Sequence, residues 1–315
     1  MKIIHISDLH LNTEYKLSNN EKCTRALEFI VDSGFDHLVI SGDITENSER
    51  SSYELARKMF RKFNLLNPDK LTLVIGNHDI FGGVHYAEDI LDFPKRCKAT
   101  NYDSKVSEFE NYFPEVFKNT LQPDKNSMYP FVKEFDEFVL IGINTIARYS
   151  VLKNPFASNG DVDSGQLHNI ENICNIKAFE YKEKIIVAHH HFSKSYNDPC
   201  SENTVWKRIE KQTMKLRDKK KIFKLFDKYD IHNVMHGHLH ESNQYFRHGI
   251  RFFNAGGATL GYKDEVRLNT FIIENDMIDF TINCFPVNTI KSKNYAPLHE
   301  ADFGKLIVPA DICLN

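Results

Sequence analysis

At 315 residues the chain can bury a large core, and length alone allows one or two domains. With 41% hydrophobic residues, 26% charged residues and a net charge of −3, its composition is that of an ordinary globular protein. No segment approaches the roughly 18 apolar residues of a membrane span, and the apolar N-terminal run leads straight into Asp8 and His10 rather than into a signal peptide. Six scattered cysteines (Cys23, Cys97, Cys174, Cys200, Cys284, Cys313) favour reduced thiols over a disulfide framework or a zinc knuckle, so a soluble cytoplasmic protein is expected.

The first strand, Lys2 to Ser7, runs into Asp8-Leu9-His10. Apolar residues at Cys23, Ala26, Leu27, Ile30 and Val31 then predict a helix stopped by Ser33-Gly34. A second strand, His37 to Ser41, runs into Gly42-Asp43, and Ser48 to Phe63 repeats the helical spacing. The third apolar run starts at Leu71, ends at Gly76 and is followed at once by Asn77, His78 and Asp79. This β-α-β-α-β opening predicts parallel strands, right-handed crossovers and a sheet covered on both faces.

From Ile80 to Phe135 periodicity fails, and the stretch is rich in aromatics and interrupted by Pro94, Pro114, Pro123 and Pro130. It is expected to be an insertion (80–135) of short helices forming a cap or one wall of a cleft, with its aromatics making a small core of their own. The sheet resumes at Phe138 to Ile143 and ends on Asn144 and Thr145, and Ser164 to Ile173 is a helix capped by Ser164 or Asp163. Lys184 to Ala188 delivers His189-His190-His191, and Asn233 to Met235 delivers His236-Gly237-His238-Leu239-His240. Between them, Thr204 to Tyr229 holds one or two helices. Lys207 to Lys228 carries ten basic residues against three acids, a local +7 that leaves −10 for the remainder. It is either a solvated helix face or an anion-attracting wall beside the site. Tyr245 to Phe253 and Phe271 to Phe285 read as hairpins, the second turning at Asn275-Asp276. The organisation expected is one domain over 1–285 with a tail, 286–315, packed on the surface.

Five strand ends thus carry Asp, His and Asn and little else that is reactive, at the edge where open α/β sheets bind ligands. Asp8, His10, Asp43, Asn77, His189, His238 and His240 make a mixed N/O donor set suited to divalent Mn, Fe, Co, Ni or Zn. Seven donors are too many for one tetrahedral ion and suit two ions if a carboxylate bridges them. Two such ions can activate a hydroxide and clamp a phosphoryl group in an in-line displacement. Singly, Asp8 or Asp43 could be a helix cap and Asn77 a turn residue; their conjunction at five strand ends is what argues for a metal site. His189, directly after its strand, is preferred as donor over His190. His5, His37, His168 and His236 are read as structural, and Asn144 and Thr145 as site-lining or packing residues.

Asp8-x-His10, Gly42-Asp43-x-x-Glu46, Gly76-Asn77-His78-Asp79, a His after a strand and Gly237-His238-x-His240 together resemble the calcineurin-like metallophosphoesterases, in order over roughly residues 1 to 285. The resemblance implies two packed mixed β-sheets flanked by helices. It implies that Asp8, His10, Asp43 and His240 hold one metal, and that Asp43 (bridging), Asn77, His189 and His238 hold the other. By the same resemblance a metal-bridging hydroxide is the nucleophile, His78 the general acid, and Glu46 the acid that orients His78. Purple acid phosphatases carry Tyr where this chain has Glu46 and lack a match for His10. Serine/threonine protein phosphatases follow the bridging Asp with Asp-Arg-Gly, where this chain has Glu46-Asn47-Ser48. The bacterial-type phosphodiesterases are closer. The function expected is therefore a phosphodiesterase acting on a nucleotide or other small phosphoester. A nuclease, with nucleic acid as partner, and a non-catalytic scaffold on the same fold stand as alternatives.

Overall fold

A computed structural model describes residues 1–15, 17–85, 89–193, 214–259, 265–275 and 277–287. The expectations for the surface tail, for the first part of 204–229 with Lys207, Arg208 and Lys211, and for Cys200, Asp276 and Cys313 lie outside the described residues.

The N-terminal half alternates β1 (Lys2–Ile6), α1 (Ser18–Asp32), β2 (His37–Ile40), α2 (Arg50–Lys62) and β3 (Leu71–Leu73). Three short helices follow, α3 (His78–Phe81), α4 (Asp89–Ala99) and α5 (Tyr102–Tyr112), and then β4 (Phe131–Glu134) and β5 (Phe138–Gly142). Next come α6 (Ser164–Cys174), a 3-10 turn (Lys177–Phe179), β6 (Glu183–Val187), α7 (Lys219–Lys228) and β7 (Asn233–His236). The chain closes with β8 (Ser242–Arg247), β9 (Ile250–Ala255), β10 (Glu265–Glu274) and β11 (Met277–Pro286).

These strands form two mixed sheets, ordered β11-β10-β1-β2-β3 and β4-β5-β6-β7-β9-β8. β1, β2 and β3 pair in parallel, as do β5, β6, β7 and β9, while the hairpins supply the antiparallel edges. The two-residue side-chain period shows how the layers stack. In β5, Phe138 and Leu140 enter the main core cluster, whereas Val139 and Ile141 enter a second cluster with Ile170 and Ile173 of α6 and Ile222 and Phe226 of α7. β6 divides in the same way, with Ile185 and Val187 inward and Ile186 outward. Both faces of this sheet are therefore dry, which explains why its parallel strands read as continuous apolar runs. Helices α1 and α2 bury their stripes (Cys23, Ala26, Leu27, Ile30; Tyr53, Ala56, Met59, Phe60) in the cluster that holds the five-stranded sheet. The expected two-sheet architecture flanked by helices is the observed one.

Two local expectations change. The third strand leaves its ladder after Leu73 although Val74 and Ile75 stay fully buried: the Val74 N–H still donates to the Ile40 carbonyl of β2 (3.1 Å), but the next N–H on that side, that of Gly76, turns to Asp79 Oδ2 (2.9 Å). The aromatics of 80–135 make no separate core. Phe109, Phe113 and Phe117 pack among Tyr53 and Phe60 of α2 and Phe131 of β4, within the main cluster, because α5 lies across α2.

Candidate metal centre

The carboxyl ends of β1, β2, β3, β6 and β7 converge on one polar, solvent-poor spot. Five of its residues hold left-handed backbone: Asp8 (φ 55), His10 (φ 45), Asp43 (φ 50), His238 (φ 76) and His240 (φ 52). Asp and His tolerate this region better than most residues, but a cluster of such outliers marks a site whose geometry is over-determined by its surroundings. The motif glycines make room. A Cβ on Gly76 would sit 2.1 Å from Asp43 Oδ1, and one on Gly237 would sit 1.8 Å from Ser7 Oγ and 2.7 Å from Asp8 Oδ2.

Among the described residues the expected ligands fall into two groups, Asp8/His10/His240 and Asp43/His189/His238, and a third group, His10/Glu46/His78, shares His10 with the first. In the first, His10 Nε2 and His240 Nε2 lie 3.9 and 3.6 Å from Asp8 Oδ1. In the second, His189 Nε2 lies 3.3 Å from Asp43 Oδ2, 3.1 Å from Asn77 Oδ1 and 3.1 Å from His238 Nδ1. Donors about 2.0–2.2 Å from one ion stand roughly 3–3.5 Å apart at right or tetrahedral angles, so these spacings fit a metal. Asp43 faces both groups: its Oδ2 is also 3.7 Å from His10 Nε2, while its Oδ1 accepts the His78 N–H at 2.8 Å.

The ring tautomers fit cation binding as well. His189 Nδ1 donates to the Ser41 carbonyl (2.8 Å), and His10 Nδ1 donates to Glu46 Oε2 (2.5 Å). Each leaves Nε2 turned toward the carboxylates, where a metal ion can take the place of its proton, the arrangement in which an outer partner fixes a ligating imidazole. His10 Nε2 is buried and has no hydrogen-bond partner. Burial alone would lower the pKa of His189, but the Asp43 charge and hydrogen bond override it and raise the value to about 9. At His10 burial is likewise outweighed by the Glu46 bond and the charges of Asp43, Glu46 and Asp8, which push it up. The carboxylates therefore draw positive charge to one histidine of each group, while burial first of all pulls its companion down, His240 to about 4 and His238 well below the ordinary value.

Neither acid caps a helix that follows it: Asp8 spends Oδ2 on the His238 N–H (3.0 Å), and Asp43 Oδ1 accepts the His78 N–H from another segment (2.8 Å). Asn77 does stand in the turn that opens α3, without a side-chain capping bond, and its Oδ1 meets His189 Nε2. His190 is turned elsewhere, with Nδ1 on Thr145 Oγ1 (2.9 Å) and Nε2 on the Ser158 carbonyl (3.2 Å). His236 bonds the Tyr245 hydroxyl (2.9 Å), His5 bonds Ser41 Oγ (2.8 Å), and His168 is exposed. Thr145 thus holds a histidine and Asn144 holds the Tyr102 hydroxyl (2.9 Å), so neither lines the centre.

The Glu46 carboxylate stands among three imidazoles, 2.5 Å from His10 Nδ1, 3.7 Å from His78 Nδ1 and 3.5 Å from His85 Nδ1, and the Glu46 backbone carbonyl takes the His78 ring at 3.1 Å. Sequence reasoning missed His85 altogether, and also the part played by Asp79. The Asp79 carboxylate accepts from the backbones of Ile44, Thr45 and Gly76 (3.1, 2.8 and 2.9 Å), locking two site loops together. Its signal was its place beside His78. Above the centre lies a cavity of about 210 Å³ lined by Asp43, Asn77, His78, Ser158, Met214, His238 and His240. His78 keeps 24% of its side chain exposed there, against 2% for Asp43. Of the basic run, Lys219 donates to the Ser193 carbonyl (2.6 Å) and Lys228 pairs with Glu171. No helix among the described residues is long and apolar enough to cross a membrane.

The chain is similar to a probable cyclic nucleotide phosphodiesterase of Ruthia magnifica subsp. Calyptogena magnifica, 22% identical over 269 residues, covering 84% of this chain and 89% of the relative. Its fold is similar to that of a dimetal phosphatase from Danio rerio (TM-score 0.56, 10% identity, 91% of this chain and 99% of that one). It is also similar to a purple acid phosphatase from yellow lupin seeds, Lupinus luteus (TM-score 0.52, 13% identity, 92% and 52%). The family described as calcineurin-like phosphoesterase matches residues 1–242, three quarters of the chain and every strand end described above. The chain belongs to the calcineurin-like phosphoesterase family, a family of metal-dependent phosphoesterases, and carries Asp and His clusters that could hold metal ions.

Proposed function

We propose that the protein is a dinuclear phosphodiesterase acting on a nucleotide or another small phosphoester. Asp8, His10, Asp43 and His240 would hold one ion, and Asp43, Asn77, His189 and His238 the other. The observation that carries the reading is the double orientation of Asp43, whose Oδ2 lies 3.3 Å from His189 Nε2 and 3.7 Å from His10 Nε2. When bound, two divalent ions of the Mn, Fe, Zn, Co or Ni type would supply charge for the phosphoryl oxygens and lower the pKa of water.

The protein's own groups do the rest. Two dications opposed by Asp8, Asp43 and Glu46 leave the centre net positive, which favours anionic phosphoesters over neutral esters. The Glu46 carbonyl engages His78 at Nδ1, so Nε2 is the nitrogen left to give a proton to the departing oxygen. The Asp43 contact with the His78 backbone fixes that ring relative to the bridging carboxylate. The name of the Ruthia magnifica relative supports a diester substrate.

Metal-reconstituted protein assayed against cyclic nucleotides, dinucleotides, nucleic acids and phosphomonoesters tests the reading. The expected outcome is preferential hydrolysis of a small diester. Faster hydrolysis of DNA that falls steeply with salt would assign a nuclease instead, and no turnover on any phosphoester would leave a scaffold.

A further inference from the structure

Of the described residues lining the cavity above the centre, Met214 is the one apolar side chain. It and Ser158 belong to segments far apart in the chain that are joined through the backbone. The Gly160 N–H donates to the Lys215 carbonyl (3.0 Å), the Arg217 N–H to the Gly160 carbonyl (2.8 Å), and the Lys215 N–H to Asn159 Oδ1 (3.1 Å). This joined pair is held to the end of β6 by His190, the residue that follows His189. Thr145 Oγ1 accepts the His190 N–H (3.1 Å), so its own hydrogen goes to His190 Nδ1 and the Nε2–H donates to the Ser158 carbonyl. A buried imidazole thus fixes Ser158 by its main chain, and the backbone pairing of the two segments holds Met214 at the cavity beside it.

A thioether takes no part in binding phosphate or a hard cation, and the polar residues around it are committed to those tasks. What it does well is adapt to an aromatic ring, through polarizable contacts at the ring face or edge. We propose that Met214, backed by Ser158, is the specificity wall of this site and receives the base of a nucleoside phosphoester, so nucleoside esters are favoured over esters of small alcohols. His190 acts as a positioning residue for that wall. This inference rests on the phosphoesterase reading above.

The test is calorimetric titration of the full-length, Mn²⁺-loaded protein with adenosine monophosphate and, separately, with inorganic phosphate. Wild type should bind the nucleotide more tightly than phosphate. Met214→Ala should weaken the nucleotide by about three- to ten-fold while phosphate changes by less than about two-fold. His190→Leu, which removes the tether but keeps the methionine, should lower the nucleotide-to-phosphate ratio with metal content unchanged. His190→Gln, which keeps a side-chain donor, should recover part of it. Equal weakening of both ligands by Met214→Ala, or of neither, overturns the wall. Wild type binding phosphate and nucleotide alike does the same and leaves the phosphoesterase reading standing. Wild type binding neither ligand overturns that reading and the wall with it.

Discussion

The floor of the site is made of residues that follow closely on strands, several of them in left-handed backbone, and most are buried, His240 keeping 36% of its side chain exposed. Its wall is made of two segments that touch through main-chain hydrogen bonds and are tied to the floor by His190. On the floor, the donor atoms must stand within a few tenths of an ångström of fixed positions, and backbone strain of about 1–3 kcal/mol per residue is tolerated to put them there. On the wall, only a surface must be presented, and side chains can change without disturbing the backbone that carries them. Chemistry is written into the floor, selectivity into the wall.

Substitutions separate the two. Asp43→Ala should have the largest effect, because its Oδ2 faces both donor groups. Both ions should be lost, with a rate loss of about 10³-fold or more, whereas Asp8→Ala should weaken mainly one ion. Elemental analysis decides, and a full metal complement in the Asp43 variant would remove the bridging assignment.

Next in size is His78→Ala. Metal content should stay near wild type, since Asn77 rather than His78 faces His189. The rate on a nucleotide diester should fall by about 10²–10⁴-fold, and distinctly less on an aryl ester whose leaving group needs no proton. Equal losses on both substrates would make His78 an electrostatic clamp.

Glu46→Gln sharpens the view of the floor. With a 2.5 Å bond to His10 Nδ1, Glu46 should act through that ligand, and its neutralisation should cost about 10–100-fold in metal affinity. Unchanged affinity with a slower reaction would return Glu46 to the role the resemblance implied, as partner of His78.

The same contrast governs what could be read from the sequence. Asp8, His10, Asp43, Asn77, His189, His238 and His240 were legible because each follows a strand, so chain position alone places it at the sheet edge. The two-sheet fold was legible because parallel strands dry on both faces leave uninterrupted apolar runs. Ser158 and Met214 were not, since neither follows a strand and their adjacency depends on a pairing that no local pattern encodes. The bond between Glu46 and His10 was missed for a related reason: a carboxylate with three imidazoles in reach has no preferred partner until the loops are packed. The core made by Phe109, Phe113 and Phe117 depends likewise on where α5 settles against α2, which aromatic density cannot tell.

The smallest effect lies at the opposite end of the sheets, and serves as a control that touches neither floor nor wall. Lys133 of β4 is only 5% exposed, and its Nζ donates to the carbonyls of Pro68 (2.8 Å) and Leu71 at the start of β3, pinning one sheet to the other. Burial pulls its pKa down from 10.5 to about 7, with Asp69 opposing. Between about pH 7 and 10.5 the unfolded chain therefore holds a proton that the folded chain lacks, so stability rises with pH across that window and the penalty is complete below it. The slope is about 1.4 kcal/mol per pH unit. Lys133→Met removes the titration, at the cost of leaving two carbonyls without this donor. The stability of wild type minus that of the variant, from urea unfolding in the presence of a chelator, should climb from pH 7.5 to 9.5 at about that slope. A constant difference would mean that the two carbonyl bonds, which favour the charged ammonium, hold Lys133 near its ordinary pKa despite its burial.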